Sequence, residues 1–72
     1  EDKSPERSLM LLLKLEKFAN DNGSKYYESK SLLEQSNVYK ILGNADKALA
    51  KKKSGLVIAE SIGAKELLVT YQ

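Results

Sequence analysis

Closely spaced lysines are the residues of this sequence with the clearest capacity to bind a ligand. Lys51, Lys52 and Lys53 follow one another, and Lys40 and Lys47 precede them. Successive residues of a helix point about 100° apart, so the three consecutive lysines cannot share one face. Lys47 and Lys51 can share a face, and we expect Lys40 to join them across a turn. The sequence therefore predicts a phosphate-binding basic ridge of Lys40, Lys47 and Lys51, with a solvated outer face as the alternative.

Residues for covalent or acid–base catalysis are absent or scattered. The 72 residues include no cysteine and no histidine, so the usual pairs of a nucleophile and its base cannot form. We expect Asp21 and Glu28 near the same turn, where solvated surface charge is the better interpretation. The sequence predicts no enzyme activity, no metal site and no cofactor.

The net charge of +2 is small and unevenly placed. Residues 1–36 hold six basic and seven acidic side chains, and residues 37–72 hold six basic and three acidic ones. This mild asymmetry argues against nucleic acid as a partner. The apolar run at 9–13 is far shorter than the roughly 20 residues that span a bilayer, and Glu1-Asp2 lacks the basic start of a secretory signal. Because cysteine is also absent, we expect a cytoplasmic protein without a membrane partner.

The elements that must position these residues are helices. Ser4, Pro5 and Glu6 combine an N-cap, a first helical proline and an acid in the first turn, which together begin a helix. Apolar residues recur at helical spacing, and no strand alternation is present. We expect an all-α fold of antiparallel hairpins, because loops of two or three residues separate the helices. The predicted helices are 5–22, 24–42, 45–62 and 64–71.

Three glycines lie twenty residues apart and punctuate this pattern. Gly23, Gly43 and Gly63 each follow a predicted helix, where glycine accepts the left-handed conformation. Residues 18–23 also align with residues 58–63 in a forty-residue register. Internal periods of this size are typical of stacked helical hairpins, which serve as binding surfaces.

Residues 36–49 closely resemble a tetratricopeptide repeat. That family has a small residue, then a tyrosine, then Gly-Asn or Gly-Asp at the turn, then a small alanine. Here these positions hold Ser36, Tyr39, Gly43-Asn44 and Ala48. Residues 56–63 resemble the end of the second helix in the longer repeats, of about forty residues, of kinesin light chains and bacterial regulators.

Three residues depart from the family pattern. Gln35 lies where the family prefers leucine, and Lys52 lies where it prefers a large aromatic residue. Gly55 replaces the usual alanine, which costs roughly 1 kcal/mol in a helix interior.

The resemblance implies a single segment of a repeat array. Its helices would start partway through one repeat and end partway through another. Residues 5–22 would be the second helix of a preceding repeat, 24–62 one full hairpin, and 64–72 the start of a following repeat. Arrays of this kind generally need about three repeats for stability. We therefore expect the chain to be part of a larger array or to associate with another copy of itself.

The resemblance also implies a function, because first helices line the concave groove in this family. It predicts a scaffold that binds a protein or peptide segment in that groove, without catalysis. The groove residues would be Lys30, Leu33, Glu34, Asn37, Lys40 and Ile41. Glu34 argues against the basic clamp that some members use for a C-terminal carboxylate. Two alternatives stay open: phosphate or nucleic-acid binding through the basic ridge, and a purely structural, self-associating role.

Overall fold

Residues 4–71 are described by the computed structural model, and they contain four α-helices and no strand. The all-α prediction is confirmed, and each helix begins and ends within about two residues of its expected bounds. Residue 72 and the opening Glu1-Asp2 lie outside the described residues. The helices are α1 (Pro5–Asp21), α2 (Lys25–Ile41), α3 (Ala45–Ile62) and α4 (Lys65–Tyr71).

The first three helices begin at side-chain caps. Ser4, Ser24 and Asn44 each accept a hydrogen bond from the backbone N–H three residues later, at 3.2, 3.4 and 3.2 Å. Such caps satisfy backbone donors that have no partner inside the helix. The short polar residue before each helix therefore fixes where that helix starts.

The three glycine turns have the same geometry. Gly23, Gly43 and Gly63 adopt φ of +71°, +80° and +68°. In each turn the N–H after the glycine bonds to the carbonyl five residues earlier, at 2.8, 2.8 and 2.9 Å. This is the Schellman arrangement, in which the left-handed residue reverses the chain within a few residues. Consecutive helices are therefore antiparallel hairpins.

Helix α2 is the centre of the fold. It packs against α1 on one side and α3 on another, and α3 packs against α4. Helix α4 also reaches α2, because Leu33 of α2 shares one core cluster with Ala59, Ala64 and Leu67. Among the described residues, α1 and α3 do not pack extensively on each other. The helices thus pack mainly in chain order, and α4 also contacts α2 through Leu33.

The contacts of α2 are made by small polar residues that are fully buried. Ser29 Oγ donates to the carbonyl of Gly55 at 2.6 Å, and Ser36 Oγ donates to the carbonyl of Ala48 at 2.7 Å. On the opposite side Ser31 Oγ donates to the carbonyl of Leu12 at 2.6 Å. Because each hydroxyl bonds to a neighbouring backbone, burial leaves none of them unsatisfied. Short side chains also let the helices approach closely.

Gln35, which replaces the leucine of the resemblance, faces α1. Its side chain is fully buried, and Nε2 donates to Glu16 Oε1 at 2.8 Å and to Ser31 Oγ at 3.2 Å. Its Oε1 atom has no hydrogen-bond partner within residues 4–71. The α1–α2 contact is therefore partly polar, whereas a leucine would have made it apolar.

Gly55, the second departure, lies where α2 and α3 approach most closely. A Cβ atom at this position would be 2.7 Å from Leu33 Cγ and 3.2 Å from the Ser29 carbonyl oxygen. Leu33 is only 1% exposed, so it has little room to move away. The glycine is poor for helix formation but necessary for this contact.

Replacing Gly55 by alanine tests this conclusion. Overpacking of a tight core costs about 1–3 kcal/mol, whereas the gain in helix propensity is about 1 kcal/mol. We expect Gly55→Ala to lower the free energy of unfolding in urea by up to about 2 kcal/mol. The neighbouring exposed change Ser54→Ala should alter it by less than about 0.5 kcal/mol. A Gly55→Ala protein more stable than the parent would contradict the close approach.

A helix that crosses a bilayer needs about 20 mostly apolar residues. None of the described helices within residues 4–71 is long and apolar enough to meet this requirement.

Candidate functional site

An accessible row of side chains runs along α2. Lys30, Glu34, Asn37 and Ile41 follow at helical spacing, so they share one face of α2. Asn37 and Ile41 are exposed, Ile41 to 71%, whereas Lys30 and Glu34 are half-buried. Lys40 is also exposed and lies beside this α2 row. The structure thus brings together five of the six residues that the resemblance placed in a groove.

Leu33 is the sixth residue, and it is not available to a partner. It is among the most buried residues and packs with Ala59, Ala64 and Leu67. The physical reason is its orientation, because it points about 100° away from Glu34 and toward Gly55 of α3. It belongs to the core and supplies only the floor of a neighbouring cavity.

Two concavities flank the α2 row. The first has a volume of about 410 Å³ and lies between α2, α3 and α4. The second, of about 490 Å³, lies between α1, α2 and α4. Asn37 and Tyr71 line both. The other lining residues of the first are Leu33, Ser36, Lys40, Lys52 and Thr70, and those of the second are Ser8, Leu11, Leu12, Glu34 and Val38.

Tyr71 connects α4 to the α2 row. Its hydroxyl donates a hydrogen bond to Glu34 Oε2 at 3.1 Å. Burial, followed by the nearby Glu34 carboxylate, raises the pKa of Tyr71 to about 12. The sequence placed Tyr71 only on the apolar stripe of α4. Its position beside Glu34 depends on the contact between α4 and α2, which no local pattern predicts.

The predicted basic ridge of Lys40, Lys47 and Lys51 is divided in the structure. Lys47 Nζ lies over the ring of Tyr39, 5.6 Å from its centroid. Tyr39 and Lys40 are successive residues and point about 100° apart, so Lys40 faces a different side of α2. There it lines two cavities together with Lys52, and Lys51 lines neither. The lysine that shares a cavity with Lys40 is therefore Lys52.

Residues 4–71 contain no group of three or more acidic, histidine or cysteine side chains placed to hold a metal ion. No family model, no curated protein and no solved structure matches the chain. The geometry of the α2 row and its two concavities is therefore the basis for a functional proposal.

The raised pKa of Tyr71 leads to a measurable pH dependence. The folded state favours the neutral phenol, so this stabilisation is complete below about pH 10 and is lost as the pH rises toward about 12. In an alkaline titration of tyrosinate absorbance, we expect a late transition near pH 12 that belongs to Tyr71. Tyr71→Phe should remove that last transition, and Glu34→Gln should move it to lower pH.

A matched comparison completes this experiment. Tyr39→Phe removes a tyrosine that has no contact with Glu34 and should leave the last transition in place. If the folded protein showed no transition near pH 12, the contact between Tyr71 and Glu34 would be wrong.

Proposed function

We propose that this protein is a tetratricopeptide-like helical repeat that binds a segment of another protein along α2. The observation that carries the proposal is the exposed α2 row lying between two concavities, with Asn37 and Tyr71 lining both. A surface of this shape offers a ridge of polar groups with a depression on either side. Such a surface suits a peptide whose alternate side chains enter the depressions.

The forty-residue register supports the repeat interpretation. Ser4 and Asn44 cap helices that begin forty residues apart. Ala19 and Ala59 are both buried and accept the turn hydrogen bond that ends their helices. Packing between consecutive helices also agrees with a stack of helical hairpins.

The chemistry of the α2 row indicates what kind of segment would bind. Lys30 offers a cation, Asn37 offers an amide with both donor and acceptor, and Ile41 offers an apolar side chain. Glu34 already accepts a hydrogen bond from Tyr71, and its carboxylate has further acceptor capacity. This mixture favours a peptide with both charges and an aliphatic anchor that packs on Ile41.

Substitutions on the α2 row test the proposal. The ligands are peptides selected on the parent protein from a random display library. They should bind Ile41→Glu at least about tenfold more weakly, because this variant loses an apolar anchor of about 1.5–3 kcal/mol. Asn37→Ala should also weaken binding. Val57→Glu is the matched control, because Val57 is similarly exposed but lies on α3. If the selected peptides bound Ile41→Glu, Asn37→Ala and Val57→Glu with the same affinity as the parent, the binding surface would lie elsewhere.

A second candidate function is anion binding between Lys40 and Lys52. The observation that favours it is the shared cavity, which Ser36 and Thr70 also line with hydroxyl groups.

Salt dependence separates the two candidates. Two lysine–phosphate contacts predict a loss of about tenfold in DNA affinity between about 50 and 200 mM salt. Peptide binding led by Ile41 should change far less over that range. Lys52→Gln should remove the salt-dependent binding if anions are the ligands, and it should leave peptide binding at the α2 row intact.

A further inference from the structure

The two concavities beside the α2 row differ in charge. Within residues 4–71, the first is lined by Lys40 and Lys52 and by no acidic residue. The second is lined by Glu34 and by no lysine or arginine. Asn37 and Tyr71, which line both, are neutral. A charged side chain of a bound peptide is therefore attracted to one concavity and repelled by the other.

The Glu34 carboxylate has no cationic partner in the described part of the chain. Its Oε2 atom accepts a hydrogen bond from the Tyr71 hydroxyl at 3.1 Å. No lysine or arginine nitrogen of residues 4–71 lies within 4.0 Å of either carboxylate oxygen. This holds even for Lys30, which precedes Glu34 by one helical turn. The half-buried carboxylate therefore keeps acceptor sites for a cation that comes from another molecule.

Apolar side chains of α1 and α2 line the same concavity as this carboxylate. Val38 is buried, Leu12 is half-buried, and Leu11 is 59% exposed. Lysine and arginine combine a cationic head with a long aliphatic stem, and the stem packs readily on apolar surface. A neutral aliphatic side chain would instead cover Glu34 without offering it a partner, which is unfavourable for a carboxylate.

Other ligands fit the second concavity less well. An anion would be repelled by Glu34. A metal ion needs several ligands, and residues 4–71 contain no group of three acidic, histidine or cysteine side chains placed to hold one. The concavity therefore favours an organic cation with an apolar stem.

The spacing along α2 relates this concavity to the aliphatic anchor of the peptide. Glu34 and Ile41 are seven residues apart on one face of α2, which is about 10 Å along the helix axis. An extended peptide covers that distance in about three residues. The basic residue of the peptide should therefore lie about three positions from the residue that packs on Ile41.

We propose that the second concavity binds the basic side chain, lysine or arginine, of the peptide that lies along the α2 row. This inference rests on the proposed function and adds which residue of the peptide enters which concavity. The ammonium or guanidinium group donates to Glu34, and the stem packs on Leu11, Leu12 and Val38. The two lysines of the first concavity repel that residue, so it enters only the second.

The test uses peptides selected on the parent protein from a random display library, with binding measured by fluorescence anisotropy. We expect the tightest peptides to share a lysine or arginine about three positions from their aliphatic anchor. Replacement of that residue by norleucine keeps an apolar stem and removes the charge. It should weaken binding at least about tenfold, because the hydrogen bonds to the carboxylate are lost.

Variants of the protein locate the site. Glu34→Gln should weaken binding of the basic peptide about tenfold and change binding of the norleucine peptide less than about twofold. Glu28→Gln is the matched control, because Glu28 is also a half-buried carboxylate of α2 but lies beside Lys25. Leu11→Ser should weaken binding of the basic peptide at least about threefold. Leu13→Ser should not, since Leu13 is an exposed leucine of α1 outside the concavity.

The possible results separate this inference from the proposed function. Equal binding of the basic and norleucine peptides would overturn the inference, and the proposed function would stand if Ile41→Glu still weakened both. Peptides that need Glu34 but not Ile41 would support the inference and contradict the aliphatic anchor. Self-association that Glu34→Gln abolishes would overturn the choice of occupant, since a basic residue of a second copy would fill the concavity. A library that yields no binding peptide would overturn both.

Discussion

The close approach of α2 and α3 is the constraint on which the rest of the structure depends. Leu33 packs directly against the backbone at Gly55, and Ser29 and Ser36 donate to carbonyls of α3 on the same side. A larger residue at position 55 would separate the two helices. The buried hydroxyl groups of Ser29 and Ser36 would then lose their carbonyl partners. The cost of a glycine within a helix is thus offset by packing and by satisfied hydrogen bonds.

The central position of α2 decides which surfaces stay accessible. Three helices contact it, and the row from Lys30 to Ile41 stays accessible between its two flanking concavities. Among the described residues, α1 packs extensively only on α2, and Ala19 is its one fully buried residue. Its apolar side chains consequently form exposed surface. A central helix with small polar contacts and a flanking helix with uncovered apolar residues therefore present different chemistry at the surface.

Much of the fold was predictable because its signals are local. The caps at Ser24 and Asn44 and the left-handed glycines each act within a few residues, so they place the helix ends and the turns. The candidate site was less predictable. The resemblance assigned Lys30, Glu34, Asn37 and Ile41 to one groove, but it could not decide whether Leu33 faced that groove or the core. Nor could it show that Lys52, rather than Lys51, shares a cavity with Lys40.

The sequence by itself determined four helices, three equivalent turns and antiparallel hairpins, because hydrogen bonds between neighbouring residues specify them. Only the tertiary structure decided which helix lies at the centre, and that decision rests on contacts between residues far apart in the chain. The bond from Tyr71 to Glu34 and the fit of Leu33 against Gly55 are such contacts. Their geometry depends on the distance between helix axes, which side-chain volumes across the whole interface set together.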